Sequence, residues 1–497
     1  MVVRDAAVVP GVIAMTVSPF RAGLVRVRRC AVVAAGLALT ACASGAAAGS
    51  RSASASGTVP PAPRVSVRAA SAVLGRHGEV AFVAHGSLFL LGGPAGALRR
   101  VALPGLAFAP AWSADHRWLA VEVSKRPPPG SLPYRYLQEP AALWLVNGTG
   151  TSARRLTPAS WDITSFGWSP RAGRLAAAVV VAGAAKGRSA AVAAMTPAGR
   201  RKILAVGSYV SGVAWSPHGQ RVAAGVNAFS GRTGWQSTLE LLDPAGGRPV
   251  VVTARMGEVL ELAGWWPDGS GLLYWPDPQG SGSIAADGLP LDSVSLASGQ
   301  SRRLVSGMLV HSSWLAFAPG GHTAAVVAGG DRVLWGGHKH LAICQSSGRC
   351  APVAGPAGVV AVQPSWSPQG RAVAFAQASA TGPFGQAGRA DFSPHWISRW
   401  QATSQIRIAA GRPATRRLAA AGPGALDPVW GSDGSILFVR ADWLWLLPAG
   451  ASAPGRLAGP LGALAPVAYD RSYYGYIPYP QLIAWTSALP FATAGTS

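Results

Sequence analysis

Seven times between Trp112 and Gly434 the chain repeats one turn: an aromatic residue, a small residue or Pro, and a corner closing on Gly. The copies read Trp112-Ser-Ala-Asp-His, Trp168-Ser-Pro-Arg-Ala-Gly, Trp215-Ser-Pro-His-Gly, Trp265-Trp-Pro-Asp-Gly, Phe317-Ala-Pro-Gly-Gly, Trp366-Ser-Pro-Gln-Gly and Trp430-Gly-Ser-Asp-Gly. A short apolar run follows each one. Successive copies are 56, 47, 50, 52, 49 and 64 residues apart, room for one four-stranded sheet and a variable loop. A unit of that length cannot bury its apolar face alone and must stack against its neighbours. The expectation is an all-β chain, a β-propeller of four-stranded antiparallel blades.

The turn chemistry supports this. Pro sets φ for the first corner, and Gly supplies the left-handed residue that re-enters the next strand. Two copies depart from the rule, with His116 at the Gly position and Ser432 at the Pro position. The aromatics Trp112, Trp168, Trp215, Trp265, Phe317, Trp366 and Trp430 recur at one blade position and are assigned to the structural core. A weaker copy, Leu74-Gly-Arg-His-Gly78, precedes another apolar run, and Pro466-Val-Ala-Tyr469 echoes Pro428-Val-Trp430. The first copy supplies three good strands, near 79–83, 87–91 and 98–102. A C-terminal strand ending at Tyr469 is expected to join them and close the ring at eight blades; seven follow if one copy is degenerate. If residues 65–74 supply that strand instead, the C-terminal stretch is an appendage. Closure matters because an open array leaves bare sheet edges.

The repeat resembles the Trp-Ser-Pro-Asp-Gly turn of WD40-like (PD40) repeats in TolB-type propellers, over residues 67–487. Trp265–Gly269 keeps the whole Pro-Asp-Gly core, and the other copies keep three or four of the five positions. The resemblance implies an interaction platform outside the cytoplasm, not a reaction class.

The N-terminus points to the same compartment. Arg21, Arg26, Arg28 and Arg29 precede the apolar stretch 30–39, which runs into Leu39-Thr-Ala-Cys42. That stretch is far shorter than the roughly 20 residues needed to cross a bilayer, so 1–42 reads as a secretory signal, with Met15 an alternative start. Leu-small-small-Cys resembles the lipobox of bacterial lipoproteins, which implies lipidation of Cys42 and anchoring on the outer face of the cytoplasmic membrane. Residues 43–66, rich in Ala, Ser, Gly and Pro, read as a flexible tether, 67–490 as the propeller and 491–497 as a tail. An anchored propeller also resembles the LpqB lipoprotein family, whose additional domain ahead of the propeller has no room in this sequence. Cys344 and Cys350 remain, on either side of a hairpin turn; export favours a disulfide between them. Zinc bound with His338 and His340 is the alternative, and no metal or cofactor is expected.

The formal net charge of +23 is high. Its arginines fall into a pattern: Arg99-Arg100, Arg154-Arg155, Arg200-Arg201, Arg302-Arg303 and Arg416-Arg417 each precede an apolar residue in what should be the outermost strand of a blade. Charge there guards an exposed edge against pairing with other chains. Attraction to anionic lipid or wall polymer is the alternative reading. Nucleic acid is not an expected partner, because no stacking aromatics interleave with the cations.

Loop lengths carry the functional expectation. The repeated turns connect first and second strands and are short. The insertions at 124–140, 227–237, 276–291 and 378–404 follow second strands, so all should project from the opposite face. They hold Tyr134, Arg135, Tyr136, Phe229, Arg232, Trp235, Phe384, Arg389, Phe392, His395, Trp396, Arg399 and Trp400, types enriched at protein interfaces. Capping the propeller's own end is the bland use of the same aromatics. The tract Tyr473–Tyr479 reads as packing or as a sugar-stacking patch. No nucleophile elbow, zinc-protease helix or phosphate loop is present, and no catalytic residue is assigned. The expected function is a lipid-anchored, monomeric scaffold that binds an envelope protein. A small-ligand protein, for glycan or peptide and hydrolytic in one version, with its site in the axial funnel, is the alternative.

Overall fold

Strand alternation and turn chemistry together produce eight antiparallel sheets, seven of four strands and one of five. The computed structural model describes residues 66–488 except 94–95, 126–139, 172, 185–188, 279, 335, 337–338, 354, 356, 381–401, 411–414 and 463–478. Cys42, the signal and the tether through residue 65 lie outside these residues, as do Tyr134, Arg135, Tyr136, His338, Phe384, Arg389, Phe392, His395, Trp396, Arg399, Trp400, Tyr469 and 473–478.

Blades 2 to 8 take their inner strands from Leu106–Trp112, Trp161–Trp168, Tyr209–Trp215, Glu258–Trp265, Leu315–Phe317, Val359–Trp366 and Ala425–Trp430. Every repeated aromatic therefore ends an inner strand. Blade 1 borrows its inner strand from the far end of the chain: Ile483–Trp485 pairs with Glu79–Ala84, which leads outward to Ser87–Gly92 and Gly96–Arg100. The ring is closed by a C-terminal strand, as the repeats predict, but the strand is 483–485 and the aromatic is Trp485, not Tyr469. Residues 65–74 do not supply it either. Arg68–Ala69 instead adds a fifth, outer strand to blade 8, with Arg68 opposite Gly459, and Ser71–Leu74 is a helical turn. The two ends of the chain thus complete adjacent blades.

The aromatics hold the blades to one another by more than contact. The indole N–H of Trp112, Trp168, Trp215, Trp265 and Trp366 donates to Ala484, Ala111, Gly167, Ala214 and Ala316 carbonyls, at 2.9 to 3.2 Å. Each acceptor lies one residue ahead of the aromatic in the preceding blade, so the bond recurs around the ring. Phe317 has no N–H and packs edge-on against Trp266 at 5.8 Å. Trp430 turns back to Gly434 in its own corner. Trp215, Trp265, Phe317 and Trp366 are buried, whereas Trp112, Trp168 and Trp430 are half-buried.

The arginine pairs lie in outer strands and are exposed. Several also reach across to the third-to-fourth-strand turn of the next blade. A Cβ on Gly150 would sit 3.0 Å from Arg99 Cδ, and one on Gly348 3.2 Å from Arg302 Cδ. Arg302 Nη1 donates to the Ser347 carbonyl at 2.9 Å, and Lys202 Nζ donates to that of Ala245. These turns need Gly twice over, for a positive φ (69° at Gly150, 91° at Gly348) and for room beneath the cation. The basic residues are thus inter-blade clasps as well as edge guards. The neighbours Val101, Leu156 and Leu304 are buried, but Ile203 is 44% exposed.

His116 adopts φ 55° where the corresponding turns place Gly219 at 67° and Gly269 at 76°. A side chain in this region costs roughly 1–2 kcal/mol, partly offset by the extra chain entropy that Gly loses on folding. His116→Gly is expected to stabilise the fold by about 0.5–1 kcal/mol, read as a higher denaturant midpoint at unchanged slope.

Candidate functional site

Among the described residues, blade 4 has the longest second and third strands, nine residues each. Its second and third strands, Val222–Ser230 and Gly234–Leu242, stay paired out to Ser230 opposite Gly234. The stretch 227–237 is therefore mostly a strand hairpin with a tip at 231–233, not a loop. The ladder continues through Asn227 opposite Ser237 and Ala228 opposite Gln236. The ladder sets Phe229 opposite Trp235, with ring centroids 5.1 Å apart at 62°. Phe229 is 55% exposed, and Arg232 stands exposed at the tip.

Neighbouring segments flank the hairpin. The Trp235 carbonyl accepts the Gly257 N–H at 2.8 Å, and Met256, 63% exposed, is the ladder partner of Gln236, so its side chain stands on the other face of the sheet from Phe229 and Trp235. Gly280 lies under the indole, where a Cβ would sit 2.8 Å from Trp235 Nε1. The chain then turns into the short helix Gly282–Asp287, capped by Ser281, which presents the half-exposed Ile284. The insertion at 276–291 is accordingly strand to Pro278, helix, and strand again from Leu289. Phe229, Trp235, Met256 and Ile284 belong to connections on one face, opposite the repeated turns. Of the expected binding residues, Phe229, Arg232 and Trp235 are brought together; the others lie outside the described residues.

Beneath the rim, blades 4 and 5 meet through buried polar groups. Asn227 Oδ1 accepts the Leu260 N–H at 3.1 Å, and Ser237 Oγ donates to the Glu258 carbonyl at 2.6 Å. Tyr209 OH donates to the Glu261 carboxylate at 3.2 Å. Burial, with Asp277 close by, pushes Glu261 well above the usual carboxylate range. Burial raises Asp277 to about 6, against the opposing bond from the Ser281 N–H.

Sequence reasoning missed Met256, Ile284, Tyr209, Glu261 and Asp277. Glu261, an acid in the interior of the apolar strand Glu258–Trp265, was the readable signal. Lys339 is buried, donating from Nζ to Val333 and Gly336 carbonyls at 2.6 and 2.8 Å, and burial draws its pKa down to about 8. Cys344 and Cys350 are cross-strand partners in blade 6, with Cα atoms 4.0 Å apart and sulfurs at 2.08 Å. Among the described residues, no group of three His, Cys, Asp or Glu side chains is arranged to hold a metal.

No protein-family profile and no curated protein sequence matches the chain. Solved propeller proteins do resemble it. TolB from Acinetobacter baumannii is 15% identical, with 55% of this chain and 63% of that one covered, at a TM-score of 0.35. A prolyl endopeptidase is 12% identical, with 71% and 50% covered, at 0.45. The β-propeller domain of the Trilobed protease from Pyrococcus furiosus is 9% identical, with 70% and 96% covered, at 0.40. The chain thus spans less than two thirds of the first two structures. At such values the fold assignment rests on the strand topology itself.

Proposed function

We propose that this chain is a lipid-anchored, extracytoplasmic scaffold that holds an envelope protein against the rim of blades 4 and 5. The observation that carries the reading is exposed Phe229 set against Trp235 on a hairpin that stays paired out to Ser230 opposite Gly234, with exposed Met256 and Ile284 on neighbouring connections of the same propeller face. Large exposed apolar side chains are the anchors that interfaces use. Arg232 at the tip supplies a charged rim. The test is crosslinking in intact cells, comparing the native chain with Phe229→Ser/Met256→Ser. Loss of two anchors should lower capture of a specific envelope protein by about 30-fold or more, while the thermal midpoint stays near that of the native protein. Equal capture by both chains would remove the rim from the function.

Export carries two covalent assignments: an acyl group on Cys42 and a bond between Cys344 and Cys350. Intact-mass analysis of the chain from membranes, after alkylation without reductant, should show a lipid adduct and no alkylated thiol. Two alkylated thiols would place the chain in a reducing compartment.

A further inference from the structure

Independently of the rim, most exposed cations of blades 2 to 4 gather on one face. The short turns that follow Trp112 and Trp168 carry Arg117, Arg171 and Arg174, all exposed. Arg154, Arg201 and Lys202, in the outer strands, continue the patch to the edge of the same face. The cations are contiguous across blades. A Cβ on Gly219, in the blade 4 turn, would lie 3.5 Å from Arg171 Cβ, and one on Gly199 3.9 Å from Arg154 Nη1. Arg201 Nη1 donates to the Leu156 carbonyl at 3.1 Å, crossing from blade 3 to blade 2. The cations outnumber the carboxylates at this end: Asp115 sits in the first of these turns, Asp243 is 3.6 Å from Arg221, Glu240 lies near the end of the third strand of blade 4, and Asp268 occupies the corresponding turn of blade 5. Glu122, Asp162, Glu258, Glu261 and Asp277 lie toward the opposite face, where strands of these blades and of blade 5 end. An excess of cations on one face of a disc is not what guarding edges requires, because edge protection is indifferent to face.

We infer that this face of blades 2 to 4 docks on an anionic phospholipid bilayer. The cations sit at the tips of short, similar turns. A linear polyanion is usually held in a groove with stacking aromatics, and the turns bearing Arg117, Arg171 and Arg174 have neither. Headgroups need no groove; each cation near an anionic leaflet adds roughly a factor of five in affinity.

The experiment is vesicle co-sedimentation of the full chain carrying Cys42→Ala, so that no acyl group contributes. Phosphatidylcholine vesicles are compared with vesicles that also contain phosphatidylglycerol. Binding should require phosphatidylglycerol and vanish near 1 M salt, where the Debye length is about 3 Å. Arg117→Gln/Arg171→Gln/Arg174→Gln should weaken it by about 100-fold. A control with the same charge change on the opposite face, Lys125→Gln/Arg232→Gln/Arg255→Gln, should change it by less than about threefold. Circular dichroism and thermal midpoints verify that both variants fold. Equal binding to pure phosphatidylcholine, or equal loss in the control, overturns the inference. So does capture of soluble polyphosphate without capture of vesicles, which would make the face a polymer site.

Discussion

Trp485→Ala is expected to destabilise the protein by about 3–5 kcal/mol, the range for removing a buried Trp. Trp485 is 5% exposed, yet its own strand is only three residues long. Its importance comes from position. The indole N–H donates to the His77 carbonyl at 2.7 Å, and Val80 is its ladder partner. The ring edge lies against blade 8, where a Cβ on Gly431 would meet it at 2.5 Å. The neighbouring Ala484 carbonyl takes the Trp112 indole of blade 2. One residue therefore joins blades 8, 1 and 2. Around it, His77 Nδ1 lies 2.6 Å from Asp433, and the Ser432 N–H donates to the Ser487 carbonyl at 2.7 Å. Without the indole, blade 1 loses much of the hold on its inner strand and the array opens toward two bare edges. Trp485→Phe keeps most of the apolar area and drops the hydrogen bond, so about 1–2 kcal/mol is expected from it. Urea midpoints of the two variants separate the terms. A small loss in Trp485→Ala would show that the ring does not depend on this closure.

The fold was legible because its information is periodic. Six Trp residues and Phe317, each followed by a corner, fix where inner strands end. The closing strand was misread for a physical reason: Trp485-Thr-Ser-Ala lacks both Pro and Gly, since its turn is split between the chain ends and needs no single tight corner. Gly78, at φ 90°, supplies the left-handed residue from the other end of the chain. The clasps from Arg99, Arg302 and Lys202 were visible as a pattern but not as contacts, because edge protection and bridging demand the same residues at the same places. The site was legible only in part. Phe229, Arg232 and Trp235 stand out as aromatic and basic residues between strands. Met256 and Ile284 join them solely through tertiary placement, and ordinary apolar residues carry no sign that they remain exposed.

Asp427→Asn is expected to stabilise the fold, increasingly so as pH rises. Asp427 lies in the inner strand of blade 8 at φ 50°, 5% exposed, with its backbone N–H bound to Gln363 Oε1 at 3.2 Å. Neither carboxylate oxygen has a hydrogen-bond partner. Burial pushes its pKa well above the usual carboxylate range. A raised folded pKa means that the native state holds the proton more tightly than the unfolded chain. Its contribution is fully present below the unfolded value, near 4, and is lost as pH rises through the folded one. Between those limits the native chain loses about 1.4 kcal/mol per pH unit from this group. Asn has nearly the same shape and does not ionise, so the variant escapes that loss. Glu261 and Asp277 are also raised, but they are common to both chains and cancel in the difference. Denaturant unfolding from about pH 4 to pH 8 should therefore show the two chains close at the acid end and diverging above it. A difference that stays flat with pH would mean that the carboxylate finds a compensating cation in solution, and a variant less stable at every pH would make that cation part of the native structure.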